Sequence, residues 1–373
     1  MRIAIVCTVR DGGMVHFAQS CYLALAELGH EALIILPEGA TADTVALGRS
    51  GAVHSYHPAA GLGKGRSAAR AIDAALAEFS PDSVWLTDET VTSAAVRSMC
   101  SNTVVFIHDV KPHLAKMRLK TRLRFAYLLG TRGRALGQAS RVVVMSNSAA
   151  ADLASRHGRG VAGKVSVLRL GATAPDCDAA VPPEAEGGLA AGFFLFFGAI
   201  EKYKNVEGLV RAFTVLLGDH PEARLVIAGR GAVEDEALSA ISSHRGSILF
   251  LNRYIADGEL VYLMRHARAT VLPYLEATQS GVLPISYSFG KPVITSSAPG
   301  LSEFVVDGET GFVADGDDEL VRAMAELLDD ALASRMGANG RAYAASELDF
   351  KANVAKVVSD LAATAVGSNR GVA

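Results

Sequence analysis

The 373-residue chain has only four cysteines, Cys7, Cys21, Cys100 and Cys177, with no C-x-x-C pair among them. A zinc knuckle and a dithiol redox motif are thereby excluded, and Cys7 and Cys21 are expected as core thiols of a protein kept in a reducing compartment. Long apolar runs are also missing. The opening Met-Arg-Ile-Ala-Ile-Val-Cys turns polar at Thr8, and Phe193–Phe197 stops at Gly198; neither has the length of a signal-peptide core or a membrane span. A cytoplasmic location is the expectation. Nor is there an excess of charge: 36 Lys and Arg face 39 Asp and Glu, a net charge of −3, so the whole molecule is no polycation built for nucleic acid. What is present is 50% apolar and 20% charged residues, enough for buried cores. At roughly 150 residues per domain the length suits two.

Periodicity gives both halves the same grammar. A β-branched strand (Ile3–Val6), a glycine turn at Gly12-Gly13, a helix over about Val15–Leu28 and a strand Ala32–Leu36 form a βαβ opening. Further strands are predicted at Ser83–Leu86, Thr103–Ile107, Arg141–Met145 and Val165–Leu168. The pattern restarts with the wholly apolar Phe193–Phe197, a polar loop, a helix over about Val206–Leu217 and the strand Arg224–Ala228. Strands at Ile248–Leu251, Ala269–Leu272, Pro292–Thr295 and Gly311–Val313 follow. Strands alternating with helices predict an α/β fold of two doubly wound parallel sheets, with ligands at the carboxyl ends of the strands and the cleft between the domains as the default active site. The predicted domains are 1–178 and 193–349, joined by a Pro- and Gly-rich linker at 179–192, with a helix and tail at 350–373 that crosses back to the first.

The most informative stretch is Leu272–Val306. A strand ends at Pro273, a polar loop follows, and a helix starts near Leu283 with Pro284 in its first turn, where the missing N–H costs nothing. The amides of Ser280, Gly281, Val282 and Leu283 are then placed to seat a phosphate. Lys202 and Lys204, in the loop after Phe193–Phe197, reach the same sheet edge, and a diphosphate needs a cation together with N–H donors. Taken singly, an ordinary strand-turn-helix and solvated loop lysines explain as much. The acidic pairs Asp88-Glu89 and Asp317-Asp318 are weak metal candidates, since paired loop acids are mostly solvated, and no essential metal is expected. Gly61-Leu-Gly-Lys-Gly-Arg-Ser67 lacks the spacing of a phosphate loop, and Gly229-Arg-Gly231 is half a dinucleotide fingerprint, which disfavours a nicotinamide enzyme. Between Lys111 and Arg134 stand eight basic residues and no acidic one, interleaved with apolar residues; the expectation is a cationic face against an anionic membrane, with a solvated helix face as the plain alternative and no motif for nucleic acid.

Gly198 to Asn205, Leu225-Val-Ile-Ala-Gly-Arg-Gly231, the Glu276 loop, Phe289-Gly-Lys-Pro-Val-Ile294 and Gly300 to Gly311 resemble, in order and spacing, the donor domain of the GT-B retaining glycosyltransferases of family 4. The first half matches more loosely, through Gly12-Gly13 and His108-Asp109. The resemblance implies two Rossmann-like domains facing each other across a cleft, a nucleotide-diphosphate-sugar donor and a glycan or lipid-linked acceptor. It further implies that Gly12 and Gly13 face the donor phosphates, His108 contacts the transferred sugar, Lys204 holds the diphosphate and Glu276 approaches the reaction centre. Gln279, Ser280, Gly281, Val282 and Leu283 would cradle phosphate and sugar hydroxyls, with Lys202 and Arg230 on the donor side and Arg253 and Tyr254 near the base. The chain departs from the family at Ala199, where an arginine is common, and at Ile285, where a second glutamate grips the ribose. Two rival readings remain: a nucleotide-sugar 2-epimerase on the same fold, and a catalytically silent nucleotide-sugar-binding scaffold.

Overall fold

The computed structural model describes residues 1–10, 13–40, 52–57, 64–90, 92–96, 102–108, 110, 132, 135–171, 175, 177–185 and 192–369. The chain divides into two compact units, Met1–Arg169 with Phe350–Ala373, and Leu170–Asp349.

The first unit is built on strands β1 (Arg2–Val6), β2 (Glu31–Pro37), β3 (Ala52–Tyr56), β4 (Ser83–Leu86), β5 (Thr103–Ile107), β6 (Arg141–Val144) and β7 (Val165–Val167), in the order β3-β2-β1-β4-β5-β6-β7. Every pairing is parallel. Its central strands are buried on both faces, which is why they read as unbroken apolar runs. The edge strand β3, Ala-Val-His-Ser-Tyr, is largely exposed and carries no such run, so periodicity does not predict it. The helix Gly13–Glu27 ends against Gly29 at φ +80°, the left-handed position its sequence anticipates.

The helix Phe350–Asn369 belongs to this unit. Val354, Val357 and Leu361 are fully buried in it. Arg141 donates to the Asp360 carbonyl at 2.7 and 3.1 Å, Ser166 Oγ donates to Asp360 Oδ2 at 2.7 Å, and the Phe350 ring meets Phe17 edge-on at 5.9 Å.

The second unit is built on β8 (Phe193–Phe197), β9 (Leu225–Ala228), β10 (Ile248–Leu251), β11 (Ala267–Leu272), β12 (Val293–Thr295) and β13 (Gly311–Val313), ordered β10-β9-β8-β11-β12-β13 and again wholly parallel. In β8 the pleat sends Phe194 and Phe196 into one core layer and Phe193 and Leu195 into the other. The helix Val206–Asp219 covers the first layer with Val206, Leu209, Val210, Phe213 and Leu216, at helical spacing.

The stretch 179–192, read as a linker, is tied to this unit wherever it is described. Ala180 N–H donates to the Gly258 carbonyl at 2.9 Å, Gly192 N–H to the His266 carbonyl at 2.8 Å, and Glu184 takes a bidentate bond from Arg253. No helix among the described residues is long and apolar enough to cross a membrane.

Candidate functional site

In the second sheet the strand order reverses between β8 and β11, one connection running to β9 and the other to β12. The loops that leave the carboxyl ends of two such strands part to opposite faces, and the crevice between them is where doubly wound sheets bind ligands. Those loops are Gly198–Asn205 and Pro273–Gly281, the two stretches singled out by sequence.

Glycines set the first loop. Gly198 sits at φ +120°, with its N–H bonded to the Ala228 carbonyl at 3.0 Å, and a Cβ on Gly229 would stand 1.9 Å from the Gly198 carbonyl oxygen. The loops after β8 and β9 therefore run closer than any side chain permits. A turn of 3-10 helix at Lys202–Lys204 is closed by Asn205 in the left-handed region, φ 54°, and the Asn205 side chain caps the next helix by accepting from Gly208 N–H. This turn carries Lys204 Nζ back over the end of β8. It lies 3.3 Å from where a Cβ on Gly198 would stand, and Val282 Cγ2 lies 3.9 Å from the same point. The ammonium faces the rings of Tyr203 and Tyr274 at 5.8 and 5.4 Å and has no hydrogen bond or ion pair with another described residue. Burial lowers its pKa below the ordinary lysine value, with Glu201 partly opposing the shift. The result is a desolvated cation at the switch point, with two aromatic faces and no ion-pair partner among the described residues.

The second loop is fastened to the first by Leu275 N–H donating to the Tyr203 carbonyl at 2.7 Å. Behind it Ser296 Oγ donates to the Tyr274 carbonyl, and Gly300 N–H donates to the Ala277 carbonyl at 3.1 Å. Gly300 is crowded: a Cβ there would meet the Thr278 carbonyl carbon at 2.3 Å. The helix Val282–Ser288 follows, with Pro284 in its first turn and no side-chain cap. Val282 N–H is answered by Ser280 Oγ at 3.2 Å. A Cβ at Gly281 would meet nothing within 4 Å, so that glycine leaves open space in front of the helix. Leu283 is buried and only its backbone is available, Gln279 and Ser280 are half-buried, and Glu276 is exposed on the same loop.

The other expected donor ligands stand apart from this crevice in their bonding. Arg253 spends its guanidinium on protein: Nε and Nη2 donate to Glu184 at 2.8 and 2.7 Å, Nη1 and Nη2 donate to Glu259 at 2.8 and 2.7 Å, and Nη1 donates to the Tyr254 carbonyl at 3.0 Å. These bonds hold the Glu184 carboxyl down to about 2. Arg253 is thus a strap that fixes the loop Asn252–Ile255, while Tyr254, 77% exposed, stands in solvent beside it. Lys202 pairs on the surface with Glu234 at 2.8 Å, and Arg230 is exposed, giving its carbonyl to Ile200 N–H at 2.9 Å.

In the first unit His108 follows β5. One ring nitrogen meets the Thr87 carbonyl at 2.9 Å, and the ring stands perpendicular to Phe17 at 5.1 Å. Gly13 opens the helix Gly13–Glu27 with open space at its Cβ position, and Gly12 lies outside the described residues. Of the four acids expected to be solvated, Asp88, Glu89 and Asp317 are engaged, while Asp318 is exposed. Asp88 is 3% exposed and accepts from Thr8 N–H and, at 2.8 Å, from Thr8 Oγ; burial raises its pKa against those bonds. Glu89 accepts a two-pronged bond from Arg132 at 2.6 and 2.7 Å. Arg132 is nearly buried and also donates to the Val110 carbonyl, so it does not belong to a solvent or membrane face. The rest of Lys111–Arg134 lies outside the described residues. Asp317 pairs with Arg211 at 3.0 Å in the first turn of the helix Gly316–Glu326, where the dipole favours acids.

Sequence reasoning missed Tyr203 and Tyr274, whose rings face Lys204, and the carboxylates Glu184 and Glu259 that occupy Arg253. For Tyr274 a signal existed in its place directly after Pro273 at the end of β11; for Glu184 there was none. Replacing Gly229 by alanine is expected to destabilise the protein by about 2 kcal/mol or more, because the new methyl must push the Gly198 carbonyl away. Denaturant unfolding measures this.

Residues 190–343 match the family model "Glycosyl transferases group 1", and residues 11–172 match "Glycosyltransferase Family 4". A D-inositol 3-phosphate glycosyltransferase of Streptomyces avermitilis is 30% identical over 213 residues, 52% of this chain and 46% of that protein; the chain thus spans about half the length of this curated relative. Among solved structures, sucrose-phosphate synthase from Thermosynechococcus elongatus superimposes with a TM-score of 0.74 at 17% identity, covering 98% of this chain and 99% of the other. Anabaena HepE in complex with UDP-glucose does so with a TM-score of 0.71 at 18% identity, covering 97% and 100%. At these identities the two structures speak for the fold. With one family model on each half and the GT-B fold throughout, the chain belongs to the GT-B glycosyltransferases of the family 4 type.

Proposed function

We propose that the protein transfers a sugar, with retention, from a nucleotide-diphosphate-sugar to a hydroxyl of a glycan or lipid-linked acceptor. The observation that carries this reading is the desolvated Lys204 ammonium, without an ion-pair partner among the described residues, between the two loops of the second sheet's switch point. Such a cation gains most from an anion that brings its own charge into a site with few waters. As the bond from the sugar carbon to the diphosphate oxygen breaks and the acceptor oxygen takes its place, negative charge grows on the diphosphate. Lys204 and the backbone at Ser280, Gly281 and Leu283 stand to stabilise it, and the acceptor's proton leaves with that phosphate. On this reading Lys204 supplies the positive charge and no resident metal is required. The first unit, with His108 at the carboxyl edge of its sheet, serves the acceptor and the transferred sugar. The names of the relatives and the UDP-glucose bound by one structural neighbour support a nucleotide-sugar donor. A cytoplasmic enzyme resting on an anionic membrane through the basic residues of 111–134 other than Arg132 completes the proposal.

The test is a panel of UDP-, GDP- and ADP-sugars incubated with and without membrane-derived acceptor, with nucleoside diphosphate release and product anomer as readouts. Acceptor-dependent release with the anomeric configuration kept is expected. Interconversion of free sugar nucleotides without acceptor, or binding without turnover, would overturn it.

A further inference from the structure

Within the proposed donor seat one buried group has no assigned use. Tyr274 is 2% exposed, and its hydroxyl is buried with no hydrogen-bond partner among the described residues. Native proteins leave few such groups unanswered, because each forfeits its hydration without replacement. The ring itself is fully employed: it meets Tyr203 edge-on at 5.9 Å and faces Lys204 Nζ at 5.4 Å, both of which a phenylalanine would do as well. The hydroxyl alone sets this residue apart from phenylalanine.

The Ser280 hydroxyl stands near enough to influence the phenol without the geometry of a hydrogen bond. Ser280 Oγ already accepts from Val282 N–H at 3.2 Å. A serine hydroxyl has two acceptor positions and one proton to give. If Tyr274 O–H takes the second acceptor position, Ser280 is left able only to donate, and its proton has one direction remaining, outward. A hydroxyl locked as donor suits an anionic oxygen. The Tyr274 backbone is pinned on both sides, by Ser296 Oγ on its carbonyl and by the bond from Leu275 N–H to the Tyr203 carbonyl, so the phenol is held in place and Ser280 is the partner that moves.

We propose that Tyr274 is a positioning residue of the donor site: when donor binds, its buried O–H donates to Ser280 Oγ and thereby aims the Ser280 proton at a phosphate oxygen held by Lys204. This inference rests on the reading of the Lys204 crevice as a diphosphate seat. It places a specificity element for anionic oxygen on a residue that need not touch the ligand.

Calorimetric titration with UDP, GDP and ADP tests it on wild type, Lys204→Met, Tyr274→Phe, Ser280→Ala and the Tyr274→Phe/Ser280→Ala pair, with thermal unfolding of each ligand-free protein alongside. Tyr274→Phe should weaken the nucleoside diphosphate that wild type binds by about five- to tenfold, the size of one hydrogen bond. Its ligand-free Tm should be unchanged or higher, since no bond is lost in the free protein. The double variant should bind no more weakly than Ser280→Ala, because the tyrosine acts through the serine. Wild-type affinity in Tyr274→Phe, a fall in its ligand-free Tm that matches the lost affinity, or losses that simply add would overturn the inference. If Lys204→Met loses binding while Tyr274→Phe does not, the inference alone fails. If wild type binds none of the three nucleotides, or Lys204→Met binds as wild type does, the diphosphate seat fails and this inference with it.

Discussion

Replacing Lys204 by methionine should lower kcat/KM for the donor by about 100- to 1,000-fold, the range measured when one preorganised stabiliser of developing negative charge is removed. Methionine keeps the stem's packing between Tyr203 and Tyr274 and removes only the charge. The same variant should leave the ligand-free protein at least as stable as wild type. Burial lowers the Lys204 pKa in the folded state, so the unfolded chain binds that proton more tightly, and stability rises with pH across the window between the lowered value and the ordinary lysine value. At neutral pH the charged lysine is thus a burden on the fold, and methionine relieves it. Loss of function with stability kept or gained separates a ligand-binding cation from a structural one.

The sign of the shift also fixes a pH dependence. Below the lowered pKa, Lys204 is already charged and anion binding needs no proton. Above it, binding must take one up, so nucleoside-diphosphate affinity should fall as pH rises, sooner than an ordinary lysine would allow. Calorimetry in buffers of different ionisation enthalpy detects the uptake, which should vanish in Lys204→Met.

Ending the chain at Asp349 should unfold the first unit. Val354, Val357 and Leu361 are fully buried by the helix Phe350–Asn369, and at ~1.5–3 kcal/mol each their burial is of the order of a domain's whole stability. The deletion also strips Arg141 and Ser166 of their bonds to Asp360. The chain's single tryptophan, Trp85, is fully buried in the first unit, so its fluorescence in urea reports that unit. The truncated chain should show no cooperative transition, and Leu361→Ala in the full chain should cost about 2–5 kcal/mol. A truncated chain with the wild-type transition would contradict this.

The parallel strands were legible because a strand buried on both faces must be apolar throughout, as in Phe193–Phe197. Lys204 and the Ser280–Leu283 loop were legible because a strand end, a glycine and a proline-started helix lie consecutively in the chain. What periodicity could not reach were partners far apart in sequence. Arg253 looks like a free cation until Glu184, 69 residues earlier, is seen to occupy it. Asp88 looks solvated until Thr8, 80 residues earlier, is seen to close over it. The edge strand β3 escaped for a different reason: an exposed edge needs no apolar run. Tyr274 stood at a legible place, directly after Pro273 at a strand end, but a tyrosine there also reads as core, and its buried hydroxyl shows only in the structure.

The crevice beside Lys204 is proposed as the seat of the donor's diphosphate. A crystal structure of the full chain with the nucleoside diphosphate it binds tests this directly. A phosphate oxygen is expected within hydrogen-bond distance of Lys204 Nζ and of the Ser280 hydroxyl, in front of the helix Val282–Ser288. A diphosphate bound elsewhere, with Lys204 still facing only its two tyrosines, would contradict it.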